Sequence, residues 1–145
     1  MSLPVSTTRP STAVHRLRDA TNAHDIEAIV ACFASNYRND TPTHPARSFV
    51  GNEQVRLNWT QIFTAVPDVS TEIVASATAG DSEWTEWEHR GTRPDGTPHL
   101  MRGVIIFTVV GELIASARFF LEPVETAGAD VDLSVRRQVN PGTLT

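Results

Sequence analysis

Hydrophobic positions recur along this chain with two different periods. From Thr12 to Val66 the spacing is helical. Val14, Leu17 and Thr21 fall on one face of a first helix that Thr12 can cap, and Asn22 to Asp25 makes a bend. Asp25 can cap a second helix, with apolar positions at Ile26, Ile29, Val30 and Phe33. A short extended piece follows from Tyr37 to Thr41. Pro42 and Pro45 then hold a loop around His44 in extended geometry, because proline fixes φ and biases its predecessor away from helix. A third helix starts at Gly51 or Asn52 and ends at Pro67, with Val55, Trp59, Ile62, Phe63 and Val66 in one stripe. Beyond Pro67 the period drops to two. Val69, Thr71, Ile73, Ala75 and Ala77 share a face of one strand, and three more long strands lie between Trp84 and Glu125. Asp95-Gly96 and Gly111-Glu112 turn the chain between them.

Helices first and an antiparallel meander after make an α+β pattern: three helices on one face of a curved antiparallel sheet, enclosing a pocket. Residues 1–11, rich in Ser, Thr and Pro, read as a flexible N-terminal arm, residues 12–125 as the domain and residues 126–145 as a C-terminal tail. The last two strands are apolar on both faces, Val104, Ile106 and Val110 against Ile105, Phe107 and Val109. Such strands are covered on both sides. The helices cover one side, and a second copy of the sheet is expected on the other, giving a homodimer.

Hairpin register decides which polar residues meet. A three-residue loop at Pro94-Asp95-Gly96 sets Glu88 opposite Arg102, Glu86 opposite Val104 and Trp87 over Gly103. A two-residue loop would instead bring His89 opposite Arg102; the acid–arginine pairing favours the first. The next hairpin is expected to put Phe119 beside Val104 and Phe120 beside Gly103. One face then collects Trp84, Glu86, Glu88, Arg102, Val104, Ala117, Phe119 and Leu121, and it is expected to look toward the helices. Thr85, Trp87, His89, Ile105, Phe107, Arg118 and Phe120 make the other face.

Composition narrows the partners. A chain of 145 residues with 40% hydrophobic content forms one domain with a substantial core. The net charge of -5, with no basic run, argues against nucleic acid and anionic membranes. The longest apolar run, Val104 to Val110, is too short to span a bilayer, and the first residues lack a hydrophobic signal core. The single cysteine, Cys32, excludes an intrachain disulfide. These features fit a cytoplasmic protein. His15, His24 and His99 show no metal-ligand spacing, and neither a phosphate loop, a dinucleotide fingerprint nor a nucleophile elbow is present, so neither metal nor cofactor is expected.

Two groups of residues could carry chemistry. Asp40 and His44 flank the proline-stiffened loop, where His44 could act as general base with Asp40 orienting it. The plain alternative is that Asp40 caps a turn and His44 is a surface residue. Glu86, Glu88 and Arg102 could form a polar cluster among Trp59, Trp84, Val104 and Phe119. Burial there would raise a carboxylate pKa, making Glu88 a base, with Arg102 stabilising negative charge. The plain alternative is a structural ion pair between Glu88 and Arg102. Trp59 and Phe63, on the helix face toward the sheet, serve as core, pocket lining or both.

With that order of elements, the segments NAHDIEAIVACFA (22–34), FVGNEQV (49–55), IFTAVPD (62–68) and GVIIFTVVGELIASARFF (103–120) resemble the nuclear transport factor 2-like superfamily, and within it the SnoaL-like proteins. The resemblance covers roughly residues 12–125. It implies a cone-shaped domain with a ligand cavity between helices and sheet, often dimeric through the sheet. The superfamily spans ketosteroid isomerases, polyketide cyclases, scytalone dehydratase, epoxide hydrolases and non-catalytic proteins, so fold does not fix function. The isomerase pattern places its general-base aspartate directly before a proline; here that position is Thr41, and Asp40 comes one residue earlier, on the opposite face of an extended chain. The epoxide hydrolase Trp-Arg-Asp is here Ala117-Arg118-Phe119, without the aspartate, and its Arg-x-Asp motif is matched at best by Glu86-x-Glu88 with Arg102 opposite. The expectation is a protein that binds an apolar small molecule, with cofactor-independent proton transfer (isomerisation, cyclisation, dehydration or hydrolysis) as its chemistry. The rival is a non-catalytic ligand-binding or dimeric interaction module.

Overall fold

Two capped helices open the domain. In the computed structural model, which describes residues 5–6 and 11–142, Ser11 rather than Thr12 caps α1 (Thr12–Asn22), its side chain accepting from the Val14 N–H. Val14, Leu17 and Thr21 are buried as the spacing requires. Asp25 caps α2 (Ile26–Val30) by accepting from Ala28. This helix is shorter than the apolar spacing suggests. Phe33 belongs instead to β2 (Phe33–Asp40), because the Cys32 carbonyl is captured by the Ile114 N–H at 2.9 Å and the chain is drawn into the sheet. A single 3-10 turn, Pro45–Arg47, and β3 (Phe49–Val50) lead to α3 (Glu53–Ala65).

The long strands are β4 (Ser70–Ala79), β5 (Ser82–Thr92), β6 (Pro98–Val110) and β7 (Leu113–Pro123). Val5–Ser6 forms β1 and pairs with Ala79 and Thr78; the rest of the expected arm before Ser11 lies outside the described residues. Sheet order is β1-β4-β5-β6-β7-β2-β3. All pairs are antiparallel except β2 with β7, which run parallel, so the sheet is mixed rather than wholly antiparallel. The expected tail over 126–145 contains a helix, α4 (Val131–Val139), capped by Asp130 and braced by an Asp132–Arg136 ion pair one turn apart.

The β5–β6 register is the one the three-residue loop demands: Glu88 opposes Arg102, Glu86 opposes Val104 and Trp87 opposes Gly103. Gly96 sits at φ 87°, the left-handed conformation that glycine adopts without steric cost. Two bulges displace other expectations. On β4, Ile73 opposes Trp87 and Ala75 opposes Glu86, leaving Val74 as the extra residue. The shared face therefore ends at Ile73, and Ala75 points the other way. On β7 the register passes from Ile114 to Ser116, skipping Ala115. Phe119 consequently opposes Ile105, not Val104, and Phe120 opposes Val104, not Gly103.

The face under the helices is the one carrying Thr85, Trp87, His89, Ile105 and Phe107. Trp87, Ile105, Phe107, Ile114 and Ala117 form one core with Val14, Leu17, Ile29, Tyr37 and Val55. The Trp87 indole donates to the Thr85 hydroxyl at 2.7 Å, and that hydroxyl donates to the Ile105 carbonyl at 2.6 Å, so both buried polar groups are satisfied. Gly103, at φ 154°, allows a close strand approach beside Trp87: a β-carbon there would lie 2.0 Å from the Phe120 carbonyl oxygen.

Candidate functional site

Strand β2 and the residue that follows it carry Tyr37, Asn39 and Thr41 at the spacing of alternate residues. Together with α3 and the inner sheet face they bound a cleft of about 270 Å³. Phe33, Val55, Trp59, Ile62, Phe119 and Leu121 supply its apolar walls, and His89, Asn58 and Arg47 its other polar groups.

The polar groups of these three residues are wired in series. The Tyr37 hydroxyl donates to the Asn39 side-chain oxygen at 2.8 Å, and the Asn39 amide donates to the Thr41 hydroxyl oxygen at 3.2 Å. With its oxygen already accepting, Thr41 has its own proton left to donate to a guest. Burial, reinforced by the nearby Asp40 charge, pushes the Tyr37 phenol far above its ordinary pKa, so it stays protonated and remains the donor.

His89 enters from β5. Its ring lies 6.0 Å from Trp59 and 6.2 Å from Trp87, centroid to centroid, and makes no hydrogen bond to a described residue. No fully buried side-chain nitrogen or oxygen among the described residues lacks a partner, so the imidazole nitrogens are not fully shut off, and His89 lines the cleft. Burial, with a smaller contribution from His99, lowers its pKa to about 4. At neutral pH it is an uncharged imidazole offering one N–H and one lone pair.

The residues expected from sequence divide sharply. Trp59 and Phe119 line the cleft. Phe63 stands behind Trp59, stacked on His24 at 4.4 Å. Trp84, Glu86, Glu88, Arg102 and Val104 lie on the outer face, not toward the helices, because the apolar partners of the core occupy the alternate positions Trp87, Ile105 and Phe107. Trp84 is 48% exposed. The Glu88 carboxylate is held by the Arg102 guanidinium at 2.7 Å and by Arg90, and these hydrogen bonds lower its pKa where a buried apolar site would raise it. It is thus the structural ion pair rather than a poised base. Asp40 and His44 do not meet either. Asp40 bonds Arg38 at 3.2 Å, and His44 Nε2 lies 2.8 Å from a Glu122 oxygen.

His89, Asn39 and Thr41 were not singled out as site residues. The signal for His89 was the apolar weight of its strand face: Trp87, Ile105 and Phe107 outbid the charged face as a core surface. Thr41 was marked by the proline that follows it. Among the described residues, no three His, Cys, Asp or Glu side chains come together as a metal site. No helix of the described residues is long and apolar enough to cross a membrane.

Helices packed on a mixed sheet make the nuclear transport factor 2-like fold. The chain belongs to the SnoaL-like domain family, whose model matches residues 14–117. No protein of curated function matches the chain. It is similar in fold to a hypothetical protein of ketosteroid isomerase-like fold from Catenulispora acidiphila, solved in complex with trimethylamine, at 20% identity and TM-score 0.63 over 77% of this chain and 85% of that one. A candidate polyketide cyclase from Sinorhizobium meliloti matches at 19% identity and TM-score 0.62, over 78% and 95% of the two chains. A nuclear transport factor 2-like protein of unknown function from an Exiguobacterium matches at 20% identity and TM-score 0.64, over 79% and 100%.

Proposed function

We propose that this SnoaL-like protein binds a small, largely apolar molecule in the cleft between α3 and the inner sheet face. One observation carries the reading: a largely apolar cleft of about 270 Å³ whose lining includes Thr41 and His89. Such a mixture, mostly apolar with a few convergent polar groups, is what orients a small ligand. Asp40, His44 and Glu88 are not among the cleft-lining residues, so a proton-transfer reaction there would use His89 as base and Thr41 as donor. An isomerase, cyclase, dehydratase or hydrolase acting without a cofactor fits that pair. The non-catalytic reading draws its support from the lining, which holds no carboxylate among the described residues.

Calorimetric titration with decanol tests the binding itself. The wild type should bind it, and Leu121→Trp, which fills the cleft, should weaken binding by more than about tenfold, or 1.4 kcal/mol. Equal binding by a folded Leu121→Trp variant would put the ligand elsewhere and overturn the reading. The outer sheet face, with Trp84, Val74 and Val110 exposed, is proposed as the contact surface of a homodimer.

A further inference from the structure

The cleft does not stop at its apolar walls. A second depression, of about 420 Å³, adjoins it and shares Arg47, Phe49 and Asn58 with it; Gln54 and Ser48 extend it toward solvent. The two share these walls, the first lined mostly by apolar residues and the second mostly by polar ones, with Arg47 in both linings.

Arg47 stands apart from the other arginines around it. Arg18, Arg38, Arg56, Arg90 and Arg102 each hold a carboxylate. The Arg47 guanidinium makes no hydrogen bond or ion pair with any described residue; only its backbone N–H is engaged, by the His44 carbonyl at 2.9 Å. No acid lines either depression. The acids on the adjoining segments are engaged elsewhere, Glu53 by Arg56 and Glu122 by His44. In a chain of net charge -5, the groove mouth is therefore a place of local positive charge. Asn58 adds donors: its side-chain oxygen accepts from Gln54 at 2.8 Å, which turns its amide N–H groups away from Gln54 and leaves them for a guest.

We infer that the molecule bound here is amphipathic, with an apolar body inside the cleft and a carboxylate at the mouth held by Arg47 and Asn58. The inference rests on the reading that the cleft binds a small molecule, and it names the class of that molecule. A planar guanidinium matches a carboxylate with two parallel N–H···O bonds, and one cation balances one anion. The mouth is open to water, so the preference should be moderate and screened by salt.

The test compares decanoate with decanol, matched in apolar body and different in the end group, by calorimetry at low salt and pH 7. The wild type should bind decanoate about tenfold more tightly than decanol, and half a molar sodium chloride should erode that ratio. Arg47→Gln should bring the ratio close to one, and Arg47→Lys should restore part of it. Decanol bound as tightly as decanoate, or a ratio untouched by Arg47→Gln, overturns this inference and leaves the cleft as the binding site. Binding of neither probe overturns the cleft reading and this inference with it.

Discussion

Glu88 and His89 are joined by one peptide bond on β5 and lie on opposite faces of the same sheet. Glu88 points outward and sits in a row of charges that crosses the strands: Glu72 opposes it on β4, Arg102 on β6, and Glu122 opposes Arg102 on β7. Its charge is kept, because two guanidiniums lower its pKa. His89 points inward among tryptophans, and its charge is refused, because burial lowers its pKa to about 4. The outer face thus handles polarity by pairing ions beside water, and the inner face by uncharged donors and acceptors wired in series. Low dielectric explains the division: an unpaired ion inside would cost several kcal/mol, whereas a neutral hydrogen-bonding group costs little once satisfied. A ligand entering the cleft therefore meets directional dipoles within and a lone cation only at the rim.

That contrast can be broken most severely from inside. Phe107 is fully buried against Trp87, and Phe107→Ala should lower unfolding free energy by about 4 kcal/mol, measured by urea denaturation. A loss below about 1 kcal/mol would mean that the inner face is not the main core.

The next effect comes from pH. The folded pKa of His89, about 4, lies below its ordinary value of 6.5, so the unfolded chain takes up this proton first as pH falls. Stability is fully present above pH 6.5 and is lost progressively down to pH 4, by about 3 kcal/mol from this group. His89→Gln should flatten that part of the pH–stability curve. Glu88 adds a loss in the same direction at lower pH, since its depressed pKa keeps its contribution until below 4.5. An unaltered slope between pH 6.5 and 4 in the glutamine variant would show that His89 titrates freely.

The smallest effect belongs to the outer face. Trp84→Ser should change the unfolding free energy of the isolated protomer by less than about 0.5 kcal/mol, because the indole is half exposed. In sedimentation at micromolar concentration the same change should convert a dimer to a monomer. A wild type that sediments as a monomer removes the sheet-to-sheet contact.

Much of the architecture follows from local pattern. Asp25 before an apolar run and the Pro94-Asp95-Gly96 loop are short-range signals, and both the second helix cap and the β5–β6 register follow them. The structure departs from local pattern where one residue of slippage reverses a face. The bulge at Ala115 has no mark in the alternation of a strand that is apolar on both sides, so Phe119 and Phe120 have other neighbours than expected, and the bulge at Val74 reverses Ala75 in the same way. The inner face differs from the expected one for another reason. Grouped acids and arginines suggested a reactive interior, while the decisive quantity was the apolar area that Trp87, Ile105 and Phe107 could bury together. The parallel seam between β2 and β7 joins segments far apart in sequence, and local periodicity carries no information about such partners.

That seam has a consequence for how the protein comes into being. As the chain leaves the ribosome, β2 is made early, yet the long strand beside it arrives only with residues 113–123. Closing so distant a contact is entropically slow, and until then β2 keeps an open edge. Asn39 sits on this late-closing strand and Thr41 just past its end, so the cleft takes shape among the last events of folding, and a nascent chain halted before β7 would have a core in the making but nowhere to hold a guest.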